Sequence, residues 1–104
     1  NVQPPLSHDI SRFASHEQIV LFHKDESDKQ LKAARDLLDA SGAKYTCHAE
    51  VGHVAETICQ LAERLGCDQI VMGTHGRTAL VELLVGSITL KVLHLTSVPV
   101  LLVK

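Results

Sequence analysis

Residues 68–77 read Asp68-Gln69-Ile70-Val71-Met72-Gly73-Thr74-His75-Gly76-Arg77, and the character of the chain changes inside them. Ile70, Val71 and Met72 form a short apolar run closed by a glycine, the pattern of a strand covered on both faces by helices. From Gly73 onward the residues are small and polar: G-x-x-G, then nine residues from Arg77 to Val85, then Gly86-Ser87 at the start of an apolar-periodic stretch. A strand, a glycine-punctuated loop and a helix start, in that order, bring main-chain amides and a helix dipole to the carboxyl end of a parallel strand. That is where α/β sheets take anionic ligands.

On the amino-terminal side of this stretch, Val54, Ile58, Leu61, Ala62 and Leu65 recur at helical spacing, and Gly66 ends the pattern. On the carboxyl side, a helix over Ser87–Leu95 leads into Val98-Pro99-Val100-Leu101-Leu102-Val103. Pro99 has no N–H to give a ladder, so this last strand belongs at a sheet edge or starts at the proline. Residues 44–51 alternate, Tyr45, Cys47, Ala49 and Val51 against Lys44, Thr46, His48 and Glu50, which predicts a strand with one wet face. Residues 15–41 predict a helix, with Ser15 and Gln18 at capping-box spacing and Gly42 to close it. Its stretch 23–30 is polar all round, which predicts a bend or break there. Asn1-Val2-Gln3 reads as the tail of a strand entering a Pro4-Pro5 turn, and a first residue other than Met suggests a fragment. Strands and helices alternate from residue 44 onward, so the expected fold is α/β: a parallel sheet with flanking helices, in a single domain over residues 1–104.

Composition narrows the function. A hydrophobic content of 45% supplies one modest core for 104 residues. A formal charge of −2 and only three aromatic residues leave neither a basic footprint nor stacking platforms, so nucleic acid is not an expected partner. No apolar run approaches the ~20 residues that span a bilayer, and no basic-then-apolar leader opens the sequence. Cys47, Cys59 and Cys67 contain no C-x-x-C pair and cannot all close into disulfides, which suits a reducing cytoplasm.

No catalytic set accompanies the loop. The glycines do not fit G-x-x-x-x-G-K-[ST] or G-x-G-x-x-G, and His16-Glu17 starts like a zincin motif but has Val20 where the second histidine belongs. No G-x-S-x-G elbow surrounds Ser87. Cys47, His48 and His53 invite a metal reading, yet Cys47 and His48 point to opposite faces of a strand, so no metal is expected. His8, His16, His23 and His94 read as surface or helix-face residues, and Cys59 and Cys67 as small packing residues. On spacing alone, Gly73 and Gly76 fit ordinary turns as well as an anion nest.

The run from Met72 to Arg77, the later Gly86-Ser87 and the terminal Val98-Pro99-Val100-Leu101-Leu102-Val103 resemble the carboxyl-terminal half of universal stress proteins. G-x-x-G-x9-G-S is the pattern that marks the ATP-binding branch of that family. The resemblance implies an adenine nucleotide alpha hydrolase-like fold, a five-stranded parallel sheet between helices, here truncated at the N-terminus by its first strand, first helix and most of the second strand. It implies ATP, with Mg2+, held by main-chain groups at Gly73, Gly76, Gly86 and Ser87. Met72 would lie on the sugar side, His75 and Arg77 would stand either near the phosphates or in solvent, and Ile88 and Thr89 would lie in the first helical turn. The missing strand normally carries an aspartate that meets the nucleotide, so a fragment with no tightly bound cofactor is equally consistent. The family order 3-2-1-4-5 would leave Ile70, Val71 and Met72 on an unpaired edge. A homo-oligomer is then expected, a dimer through residues Val98 to Val103, through that edge, or by residues 44–51 moving beside it. The function implied is a nucleotide-controlled dimer in stress response with at most slow ATP hydrolysis; the alternative is an interaction module that keeps the fold around an incomplete pocket.

Overall fold

The structure is a computed structural model that describes residues 1–75 and 85–104. These residues form two compact units, Asn1–His53 and Val54–Lys104.

The first unit contains β1 (Val2–Gln3), α1 (His8–Ser11), α2 (His16–Ser41) and β2 (Glu50–Val51). β1 and β2 run parallel, with Val2 opposite Glu50 and Gln3 opposite Val51, and α2 is the long connection that parallel strands require. α2 begins with a complete capping box: Ser15 Oγ accepts from Gln18 N at 3.2 Å and Gln18 Oε1 accepts from Ser15 N at 2.9 Å. It ends at Gly42, whose φ of 71° is left-handed and favours a residue without Cβ.

Two expectations fail in this unit. α2 is one unbroken 26-residue helix rather than one broken at residues 23–30. Its polar stretch is laced by exposed ion pairs, Lys24 to Asp28 at 2.9 Å, Lys29 to Glu26 at 3.2 Å and Arg35 to Asp28 at 3.1 Å, which support a helix that has little apolar face. The strand expected over residues 44–51 is reduced to Glu50–Val51. A ladder is no longer than its partner, and β1 offers two residues. Just beyond it Asn1 N donates to His48 O at 2.8 Å.

The second unit contains α3 (Val54–Arg64), β3 (Ile70–Gly73), α4 (Ser87–Leu95) and β4 (Val100–Val103). β3 and β4 pair in parallel from Ile70 opposite Val100 to Gly73 opposite Val103. The ladder starts at Pro99, whose carbonyl accepts from Ile70 N at 2.9 Å, consistent with a proline at a strand start. α3 packs on α4, joined at its surface by Lys91 Nζ to Glu56 Oε1 at 2.6 Å. Ala55, Ala62, Ile70 and Val92 form the core, flanked by Ile58, Cys59, Met72, Val98 and Val100. Cys67, expected to pack, is exposed.

β3 was expected to be buried on both faces, but burial alternates along it and along β4. Ile70, Met72, Val100 and Leu102 are turned inward, whereas Val71 is 59% and Leu101 51% exposed. Among the described residues β3 has β4 as its one strand partner, and β2 pairs with β1.

Candidate functional site

The expected phosphate loop has both its ends in the second unit. β3 carries the chain through Met72 to Gly73, and Thr74 N then continues the ladder by donating to Val103 O at 3.0 Å. At the far end Gly86 is the N-cap of α4, in extended conformation with φ −61° and ψ 152°. Gly86 N donates to Thr74 O at 2.7 Å, and Thr89 Oγ1 donates to Gly73 O at 3.1 Å. The strand end and the helix start are therefore stitched together by one main-chain bond and one side-chain bond.

The helix start is open in the electrostatic sense. Its first internal bond runs from Leu90 N to Gly86 O, so the N–H groups of Ser87, Ile88 and Thr89 have no acceptor within the helix. A glycine cap supplies no side-chain oxygen to them, and no acidic residue lies in the first turn. The partial positive charge of the helix end is thus not neutralised by α4's own side chains. Ser87 and Ile88 are exposed there, while Thr89 is 2% exposed, so its role is to hold the junction.

The other expected residues are placed as follows. Met72 is half-buried against the core cluster. Gly73 has an ordinary negative φ, and a Cβ built on it would meet His75 O at 3.4 Å, an ordinary contact, so neither backbone conformation nor crowding within the described residues requires glycine there. His75 is half-buried, with Nδ1 3.0 Å from Thr74 Oγ1. Gly76 and Arg77 lie outside the described residues. Thr74 carries no motif role in the sequence, although its carbonyl serves the junction. Its position between two glycines of the loop pattern was the available signal.

Among the described residues no group of three or more His, Cys, Asp or Glu is arranged to hold a metal, and no helix is long and apolar enough to cross a membrane. Cys59 Sγ lies 4.0 Å from Val92 O, and burial, helped by Glu63 and Glu56, pushes its thiol above the usual range.

A parallel strand ending in glycine and stitched to a helix start without a side-chain cap defines an α/β protein. The description of the universal stress protein family matches residues 1–104, and the chain belongs to that family. It is 38% identical over 80 residues to Universal stress protein MJ0577 of Methanocaldococcus jannaschii, covering 77% of this chain and 49% of that protein. Universal stress protein Slr1230 of Synechocystis sp. is 37% identical over 87 residues, covering 80% of this chain and 30% of its relative. Stress response protein NhaX of Bacillus subtilis is 30% identical over 104 residues, covering 100% and 60%. The chain thus spans half or less of the first two proteins. The solved structure of hypothetical protein MJ0577 superposes with a TM-score of 0.80 at 31% identity, over 99% of this chain and 71% of that one. The α/β fold with parallel strands and flanking helices is therefore that of the universal stress proteins.

Proposed function

We propose that this chain is a nucleotide-binding universal stress protein that takes ATP, with Mg2+, by its phosphates at the junction of β3 and α4, and that it works as a nucleotide-controlled dimer in the cytoplasmic stress response. The observation that carries this reading is the 2.7 Å bond from Gly86 N to Thr74 O, which keeps the end of the glycine-marked strand beside an uncapped helix start. The G-x-x-G-x9-G-S pattern that runs between them supports the choice of ATP. The exposed apolar side chains Leu101 and Val103 on β4 support pairing of two copies through the last strand. The glycines do not fit G-x-x-x-x-G-K-[ST] and no catalytic motif accompanies them, so turnover of ATP would be slow.

Titration calorimetry of the full chain with Mg-ATP tests the proposal, with a saturable heat expected and steady phosphate release below about one per second. An interaction module that does not bind nucleotide is the second reading. It is favoured by Gly86 spending its N–H inside the protein and by β3 having a single strand partner among the described residues. Absence of heat at millimolar Mg-ATP would select it.

A further inference from the structure

We draw no further inference here: the strongest candidate, the exposed apolar face of the β3–β4 pair around Val71 and Leu101, carries none because nothing among the described residues shows what covers it.

Discussion

Ser87→Glu separates the fold of the junction from its proposed use. Ser87 is exposed, opens α4 after a glycine cap, and has no acidic neighbour in the first turn. A carboxylate at that point meets the unneutralised positive end of the helix and should stabilise the protein by about 0.3–1 kcal/mol. For a chain of this length that raises Tm by about 1–8 °C. The same carboxylate stands where the phosphates of ATP are proposed to sit. Two like charges about 4 Å apart repel by roughly 1 kcal/mol in bulk water and about 4 kcal/mol at the effective dielectric of a protein surface. Affinity for Mg-ATP should therefore fall by at least about fivefold and by as much as about a thousandfold, while the protein becomes harder to unfold. Calorimetry and a thermal melt on one preparation read both numbers, and salt should shrink both. Unchanged affinity would refute the placement of phosphate at this helix start. A lower Tm would refute the description of the helix end as uncapped.

Three further outcomes are expected. Thr89→Val keeps the shape of a buried side chain but removes the bond to Gly73 O, so urea denaturation should show a loss of about 0.5–1.5 kcal/mol with an unchanged m-value, and Thr89→Ser should retain the bond. At pH 8 a thiol reagent should modify the exposed Cys47 and Cys67 quickly and Cys59 slowly, since burial both hides the Cys59 thiol and raises its pKa; equal rates at all three would contradict the packing of Cys59 against α4. Hydrogen bonds from Lys24 and Arg35 hold the Asp28 carboxyl below its ordinary 3.8, so its contribution is fully present above about pH 4 and is lost as the pH falls through the lowered value. Asp28→Asn should accordingly flatten the acid limb of a stability–pH curve below pH 4 and leave the neutral region's slope unchanged.

Helix ends were legible in the sequence because their signals are local. Ser15, Gln18 and Gly42 bound α2, and Gly66, with φ 66°, follows α3. Strand length was not legible, because it belongs to a pair. Residues 44–51 alternate well, yet only Glu50 and Val51 find partners on β1. Covering of a strand's second face is likewise a property of what else is present, and Val71 reads apolar whether or not a helix lies over it. At the junction, the glycines marked the strand end and the helix start, but the tie from Thr89 to Gly73 depends on which way the helix faces. The polar contact of Gln3 with His23 escaped the sequence reading because it links residues 20 apart through a strand two residues long. Ile19, His23 and Ser27 do recur every four residues, so the shared face was discoverable even though its histidine read as a surface residue.

At 26 residues α2 is about 39 Å long, far longer than the two-residue strands it connects. Gln3 grips it at His23, and near its far end Asp39 accepts the Tyr45 hydroxyl at 2.6 Å. Such a rod is braced at two points along its span, and its amide protons should exchange with solvent most slowly beside the inner brace and progressively faster toward either tip.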